Sequence, residues 1–459
     1  MAVLGITLSL LGLMYFAYRG MNVLLLAPLM ALFAALWHAD TPLLATITQV
    51  YMPALGGYVV KYLPIFLLGS LFGKLMSSSG AAESIAQKVS STLGSRHAIL
   101  AVIMSCAILT YGGVSLFVVA FCMEPLARSL FKEANLSQRY IPGAIAAGAF
   151  TFTMTALPGT PSIQNAIPMP YFGTDAFAAP LLGIIGGFVM GGLGLWWLKR
   201  RTVKGQSKGL VFEQSSESQN KNNKTLPGFL LSITPLLVVF VLNFIFSRYL
   251  FPALDASYLS TSLYGNTSLD KVIGTWALVA ALAIGVVALL ALHFKHLENP
   301  MEKINQGTLD CMLPLFNTAS EVGYGQVIAT LSSFVVIKGL ILGLFPSNPL
   351  ISEAVAVNVL AGITGSASGG LSIALEALGA SYLEMANSMG ISPELLHRVA
   401  SMSCGGFDTL PHNGAVITLL AICKSDHKRS YFDIFMVAVT FPVVATAVVI
   451  TLGSLFGSF

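Results

Sequence analysis

Two ionisable residues flank a proline inside an apolar run near the end of the chain. Asp408 and His412 stand four positions apart, with Pro411 between them. Ionisable side chains inside a bilayer are costly and usually functional, and histidine titrates near neutral pH. The pair is therefore predicted to take up a proton, although an aspartate cap with His412 filling the turn would give the same pattern. Glu321 and Lys61 also lie in apolar runs, and the sequence leaves their participation open.

Two adjacent glycines, with a serine two positions after the second glycine, occur once in each half of the chain. Glycine lets a ligand approach bare backbone amides, and serine adds a hydroxyl. We expect both motifs at the tips of re-entrant hairpins, because non-helical backbone at membrane depth must line a site or be covered by protein. Close helix packing by small residues is the alternative. The residues predicted to contact a ligand at the two tips are Gly112, Gly113, Ser115, Gly369, Gly370 and Ser372.

Proline interrupts the fifth apolar run of each half. Because proline removes a helix hydrogen bond, each run is expected to split into two half-helices, with a simple packing kink as the alternative. Thr160 before Pro161 is typical of an N-cap and first-turn pair, and Thr409 is expected to cap in the same way. The free amides of such a half-helix would face a carboxylate. The predicted ligand contacts at the two breaks are Thr160, Ser162, Gln164, Asn165, Thr409, His412 and Asn413.

An arginine is not expected at the ligand site. No arginine is predicted to be fully embedded, and His397 is assigned to a membrane interface without a role. An anion would then depend on hydroxyls and on half-helix ends, each worth roughly half an elementary charge. Such a site suits one carboxylate better than two, so the sequence predicts a singly charged ligand.

The composition is that of a polytopic helical membrane protein. Of 459 residues, 55% are hydrophobic and 10% are charged, whereas soluble domains carry roughly 25% charged residues. The apolar runs are about 20 residues long, which suits helices crossing a hydrocarbon core rather than the strands of a barrel. The net charge of +4 lies mostly in short loops, so no nucleic-acid partner is implied.

Motifs for other chemistry are missing from the sequence. The five cysteines are far apart and form no Cys-x-x-Cys pair, so no metal site or redox cofactor is expected. The stretch 69–74 has the wrong spacing for a phosphate-binding loop, and no hydrolase motif occurs. The chain is therefore predicted not to be an enzyme.

A single long polar stretch divides the chain into two halves. Residues 199–226 mix Lys and Arg with Gln, Ser and Asn, a composition that cannot bury a core, and are predicted to form a flexible cytoplasmic linker. The membrane repeats would be 1–198 and 227–459. Short strings recur in both in the same order, which indicates an internal duplication.

The basic loops predict the orientation of the two repeats. Each half has six apolar runs. If the glycine segment of each half re-enters without crossing, five crossings remain in each half, and this odd number inverts the second repeat. Placing the linker in the cytoplasm puts most Lys and Arg residues on that side, so we expect ten crossings, two re-entrant hairpins, two broken helices and both termini outside.

At these motifs the sequence resembles the gluconate permease family of bacterial proton symporters, within the ion transporter superfamily. The resemblance covers nearly the whole chain and is most specific at 112–119, 156–166 and 408–415. It implies uptake of small hydroxylated or amino monocarboxylates across the bacterial inner membrane. Gluconate-type members have an acid at the first tip and a histidine by the first proline break. In this sequence Tyr111 and Gly112 stand at the first of these places and residues 157–160 at the second. The resemblance is therefore closer to the 3-hydroxybutyrate branch.

The resemblance also implies a homodimer in which a transport domain moves against a fixed scaffold, an elevator mechanism. The predicted function is proton-coupled symport of a small hydroxy monocarboxylate, such as 3-hydroxybutyrate, into the cell. The predicted partners are this anion and membrane lipids, with no cofactor besides the coupling ion. The alternatives are a sodium-coupled carboxylate carrier, a gluconate or D-serine symporter and, more remotely, an anion channel.

Overall fold

The protein is all-helical in the part of the chain that the structure describes. The computed structural model describes residues 2–38, 41–114, 116–212, 226–345, 347–411 and 413–459, and no β-strand occurs in these ranges. Two predicted site residues, Ser115 and His412, lie outside the described residues. Helices that are apolar on every side, such as Phe229–Ile245, are typical of membrane spans.

The first half of the chain contains helices of very different lengths. A π-helical stretch over Thr46–Tyr51 runs directly into α4. In chain order the α-helices are α1 (Ala2–Tyr18), α2 (Val23–Ala35), α3 (Leu43–Ala45), α4 (Met52–Ser78), α5 (Ala81–Leu93), α6 (Ala98–Tyr111), α7 (Leu116–Glu133), α8 (Ile141–Ala149), α9 (Phe152–Thr155), α10 (Ile163–Ala166), α11 (Met169–Phe172) and α12 (Pro180–Gln206).

The second half continues with eleven α-helices among the described residues. A short 3-10 turn over Phe407–Thr409 lies between two of them. In chain order they are α13 (Phe229–Ile245), α14 (Leu269–His293), α15 (Pro300–Asp310), α16 (Met312–Thr330), α17 (Phe334–Leu344), α18 (Pro349–Thr364), α19 (Ala367–Ser388), α20 (Pro393–Cys404), α21 (Gly414–Ile422), α22 (Phe432–Phe435) and α23 (Phe441–Phe456).

Several helices are long and apolar enough to cross a membrane. Five segments of the described chain qualify, or seven if two bent pairs of helices each count as one span. The bends are 100° between α5 and α6 and 96° between α16 and α17. The ten crossings and the inverted repeat remain predictions. The five segments are Leu43–Ser78, Pro180–Gln206, Phe229–Leu250, Leu269–His296 and His427–Phe456.

Two helical hairpins contain the predicted glycine pairs, but Gly369 and Gly370 lie in the first turn of α19 and not at the tip as expected. Helices α6 and α7 are joined at residues 112–114, called the first tip, and α18 and α19 at residues 365–366, called the second tip. Gly113 and Gly365 have φ values of 90° and 64°, which favour glycine. A Cβ added at Gly370 would overlap the Ala361 backbone, so the two helices of the second hairpin depend on glycine to pack this closely.

Two interrupted helices follow the hairpins. The first break covers residues 150–162 between α8 and α10, and the second break covers the described residues 405–411 and 413 between α20 and α21. The first break begins well before its prolines, because α8 ends at Ala149 and only one short turn, α9, precedes Pro158. The predicted interruption is present in each half, and each break lies after a hairpin in the chain.

The linker begins later than the composition predicts. Helix α12 continues to Gln206, so residues 199–206 are helical and not loop. Tertiary contacts hold this helix end in place, because Arg201 Nε lies 2.9 Å from the fully buried Asp433 carboxylate and Tyr140 Oη donates to Arg201 O at 3.1 Å. Residues 213–225 of the predicted linker lie outside the described part of the chain.

Candidate functional site

The helices that follow the two breaks do not begin where the threonines predict. Helix α10 begins after Ser162, which makes no side-chain cap bond, so Thr160 is not an N-cap. Helix α21 begins after Asn413, whose Oδ1 accepts from Ala415 N at 2.6 Å. Thr409 is not a cap either, because its hydroxyl donates to a backbone carbonyl of a π-helical stretch. The expectation was wrong at both positions.

The first tip lies against the first break. Tyr111 Oη donates to Pro158 O at 2.6 Å, and a Cβ added at Gly113 would lie 3.1 Å from Pro161 Cγ. Gly112 packs tightly on Leu236 of α13. The predicted tip and break of the first half are therefore neighbours.

Asn165 organises the interior of the first break. Its Nδ2 donates to Thr160 O at 3.1 Å and to Ala176 O at 3.0 Å, which ties the start of α10 to the loop before α12. Thr160 and Asn165 are fully buried, whereas Ser162 and Gln164 are half-buried. The Ser162 hydroxyl donates to Met154 O. Most polar groups of this break are thus already used to hold its own backbone.

A fully buried arginine joins the first break to α20, which corrects the expectation that no arginine is embedded. The Arg398 side chain is 0% exposed. Its Nε and Nη2 donate to Ala178 O at 3.1 and 2.7 Å, and its Nη1 donates to Thr155 O and Asn165 Oδ1 at 3.3 and 3.2 Å. Because these bonds occupy most of its N–H groups, the guanidinium holds the break and does not offer a two-pronged clamp to a ligand.

His397 lies beside Arg398 and is buried, not at an interface as predicted. Thr174 Oγ1 lies 2.6 Å from His397 Nδ1, and Asn165 Oδ1 lies 3.2 Å from Nε2. Since a carbonyl oxygen only accepts, we assign the proton to Nε2 and let Nδ1 accept from the Thr174 hydroxyl. The signal for both residues in the sequence is two adjacent basic residues at the start of a mostly apolar run.

A cavity of about 310 Å³ opens beside this network. Thr174, Asp175, Arg248 and Glu394 are among its lining residues. Arg248 Nε lies 3.3 Å from Asp175 Oδ2, and Arg248 Nη2 lies 3.9 Å from Glu394 Oε1. Burial raises the pKa of Asp175 above its ordinary value, and the Arg248 charge opposes that rise. Thr174 connects this ion-paired rim to the buried histidine.

Asn413 joins the second tip to the second break. Its Nδ2 donates to Gly365 O at 2.8 Å, in addition to the cap of α21. Thr409 Oγ1 donates to Ala438 O at 3.0 Å. Asp408 is 5% exposed, and its Oδ1 has no hydrogen-bond partner in the described chain. The predicted residues of the second half therefore also lie close together.

A carboxylate and several hydroxyls are buried behind the second tip. Glu321 Oε2, Ser372 Oγ and Tyr58 Oη lie at the interface of α4, α16 and α19 without a hydrogen-bond partner among the described residues. The Ser372 and Tyr58 hydroxyls face each other, and the Ser366 hydroxyl faces Glu321. We call these four side chains the second-tip cluster. A Cβ added at Gly369 would overlap the Glu321 carboxylate, so the position of this carboxylate requires glycine at residue 369.

The two breaks meet, whereas the two tips remain apart. Ser401 Oγ of α20 donates to Thr155 O at 2.8 Å, and a Cβ added at Gly405 would lie 2.8 Å from Thr155 Cγ2. No hydrogen bond joins the first tip to the second within the described ranges. Lys61 lies elsewhere, with its ammonium 4.5 Å from the Tyr171 ring centroid.

Comparison with known proteins gives one family for this chain. Residues 1–398 match the family model described as GntP family permease. The uncharacterized transporter YxjC of Bacillus subtilis is 41% identical over 460 residues, covering 96% of this chain and 97% of that protein. An uncharacterized transporter of Haemophilus influenzae is 29% identical over 191 residues, covering 40% of this chain and 42% of that protein.

A solved structure shares the fold. The crystal structure of the Alcanivorax borkumensis YdaH transporter, described as having an unusual topology, covers 91% of this chain and 90% of its own with a TM-score of 0.58. Its sequence identity to this chain is 15%, so the likeness concerns the fold alone.

Proposed function

Because the chain belongs to the GntP permease family, we propose that this membrane transporter carries a small hydroxy monocarboxylate, such as 3-hydroxybutyrate, into the cell together with a proton. The family membership supports transport, and the substrate and the coupling ion are the proposed parts. The chain would act in the bacterial inner membrane, with both termini outside.

The observation that supports an anionic substrate is the charge of Arg398. Its guanidinium lies where the two breaks meet, and no carboxylate of the described residues lies within 4.0 Å of it. The nearest acids, Asp175 and Glu394, face the cavity rim and pair with Arg248. Positive charge therefore points toward the breaks and negative charge toward the rim. One buried charge matches one carboxylate better than the several charges of citrate.

Direct contacts to the substrate would come from uncharged groups. Helix α10 has only four residues, too few for a useful dipole, so among the two half-helices only α21, with nine residues, can direct a dipole at an anion. Asn413 holds the start of α21 beside the second tip. The glycines and hydroxyls predicted at the tips and breaks remain the proposed lining, and Asp408 with His412 remains the sequence-derived candidate for the proton.

The proposed transport cycle follows from the same family relationship. The two inverted repeats would together supply a mobile transport domain and a fixed scaffold, and the protein would work as a homodimer by an elevator movement. Uptake of a monovalent anion with one proton moves no net charge, so a negative membrane potential would not oppose it.

Purified protein in liposomes tests the proposal. Accumulation of labelled 3-hydroxybutyrate, gluconate, D-serine and citrate would be measured under separate proton and sodium gradients. We expect accumulation of a monocarboxylate driven by an inward proton gradient, and none of citrate. Accumulation driven only by sodium would favour the sodium-coupled carrier, and a conductance that does not saturate with anion concentration would favour the channel.

A further inference from the structure

Four carboxylates are buried in the second half of the chain with an oxygen atom that makes no hydrogen bond to a described residue. One of them, Asp433, is ion-paired with Arg201, and the other three form no ion pair within the described residues. Glu321, Glu353 and Asp408 are 2%, 0% and 5% exposed. Burying an ionised carboxylate without a partner costs several kcal/mol, so each of these groups favours a neutral form. Acids at this depth in membrane proteins commonly serve proton or ion transfer. Their surroundings distinguish the three.

Glu321 is the one acid of the three that touches a hairpin tip. Its carboxylate occupies the space that a side chain at Gly369 would fill. Asp408 instead lies in the second break, within the 3-10 turn over Phe407–Thr409. Glu353 lies near the start of α18 beside Tyr382, away from the tip.

No basic group compensates a charge on Glu321. Helix α16 packs against α2, α4 and α19, and the titratable groups that face Glu321 from these elements and from the π-helical stretch before α4 are the phenols of Tyr51 and Tyr58. Helix α2 has no titratable residue, and the tip end of α19 presents only hydroxyls. Lys61 of α4 is directed toward Tyr171. No Lys, Arg or His of the described chain lies within 4.0 Å of the Glu321 carboxylate.

The packing favours a proton over a metal cation as the group that neutralises this charge. Hard cations take about six oxygen ligands with space between them. Glu321 is pressed against Gly369, and the nearby tip carbonyls are in use, because Gly365 O accepts from Asn413 and Ser366 O accepts from the Thr364 hydroxyl. A proton needs no such space.

We infer that Glu321, in place of the sequence-derived pair Asp408 and His412, binds the coupling proton and that its protonation allows the second tip to seat on α16; this inference rests on the proposed proton-coupled transport. A protonated Glu321 is neutral and offers an O–H to the hydroxyls of the second-tip cluster. An ionised Glu321 opposes the seated position. The same tip holds Asn413 through Gly365 O, so a seated tip also positions the N-terminus of α21 for the anion. Proton and substrate then favour the same closed hairpin, and each strengthens binding of the other.

The test compares two transport modes in proteoliposomes that contain full-length protein. One mode is exchange of labelled 3-hydroxybutyrate at equal pH on both sides, and the other is accumulation driven by a one-unit pH gradient. Wild-type protein should accumulate the anion about tenfold, since one pH unit corresponds to a factor of ten. Glu321→Gln is expected to keep exchange within about twofold of wild type and to lose accumulation. The matched control, Glu353→Gln, removes a buried acid from α18 of the second hairpin, which Glu321 contacts from α16, and should accumulate about tenfold.

Other outcomes decide between the inference and the proposed function. Tenfold accumulation by Glu321→Gln would overturn the inference, as would loss of accumulation in Asp408→Asn alone. If Glu321→Gln also loses exchange, recovery of both modes in Glu321→Asp supports the inference. Loss of exchange in both Glu321→Gln and Glu321→Asp, with normal size-exclusion profiles, would show a structural role for Glu321 and overturn the inference. Absence of exchange in wild-type protein for every monocarboxylate would instead refute the proposed function, and the inference with it.

Discussion

Replacing Arg398 by glutamine removes the buried positive charge at the meeting point of the two breaks. Two acceptors of the guanidinium, Thr155 O and Asn165 Oδ1, keep other hydrogen-bond donors after the change. Ala178 O loses both of its side-chain donors, which costs about 1–3 kcal/mol. Removing a charge that lacks a close counter-ion also recovers part of its desolvation cost. We therefore expect Arg398→Gln to fold and insert.

The effect on an anion follows from Coulomb's law. The Arg398 Nη1 atom lies 3.2 Å from Asn165 Oδ1. A carboxylate in contact with the far side of that amide would lie roughly 8 Å from the guanidinium, where a unit charge is worth about 2 kcal/mol at an effective dielectric constant of about 20. Loss of the charge should therefore weaken binding about 30-fold.

Titration calorimetry with 3-hydroxybutyrate and with its uncharged amide would measure this effect. Arg398→Gln should raise the Kd of the acid about 30-fold and leave that of the amide, where measurable, nearly unchanged. Arg398→Lys keeps the charge and should lose less affinity for the acid. Arg200→Gln is the control, because Arg200 is exposed at the end of α12 over the Trp196 ring. Wild-type affinity in Arg398→Gln, or equal losses for acid and amide, would refute the electrostatic argument.

Three further variants test the site and the topology. Asn413→Ala removes the cap of α21 and its bond to the second tip, so uptake should fall about tenfold, while Asn22→Ala, which removes a similar cap from α2, should transport normally in the same assay. Ser372→Leu places a bulky side chain at a fully buried position of the second-tip cluster and should abolish uptake at normal expression. Wild-type affinity in this variant would show that Ser372 only packs between helices. Cysteines placed between residues 207 and 220 should react with an impermeant maleimide only from the cytoplasm, and labelling from outside would contradict the predicted orientation.

Local chemistry predicted the hairpins and the breaks, because glycine and proline act on the backbone at their own positions. The glycine pair at Gly369 and Gly370 lies in a hairpin, as expected, and Gly112 lies in a turn. The N-caps were wrong for a tertiary reason at the first break. Gly159 N donates to Ala176 O at 2.8 Å. This bond holds the chain extended past Thr160, so that α10 begins only at Ile163.

The embedded arginine could not be predicted from local pattern. Arg398 stands in the buried helix α20, and its acceptors, Thr155, Asn165 and Ala178, lie more than 200 positions earlier in the chain. Hydropathy shows that such a residue is costly but not which groups satisfy it. The same limit applies to Glu321, whose neighbours come from α4 and α19.

The tight contact between Gly370 and the Ala361 backbone has a mechanical consequence. The two helices touch there close to the second tip, so the tip end cannot flex by itself and opening must turn the whole hairpin about its base. Asn348 and Gly390 lie at that base and border a cavity of about 680 Å³, and Gly390 has a φ of 69°. Substitutions at the base should therefore change the rate of opening, and substitutions at the tip should change affinity.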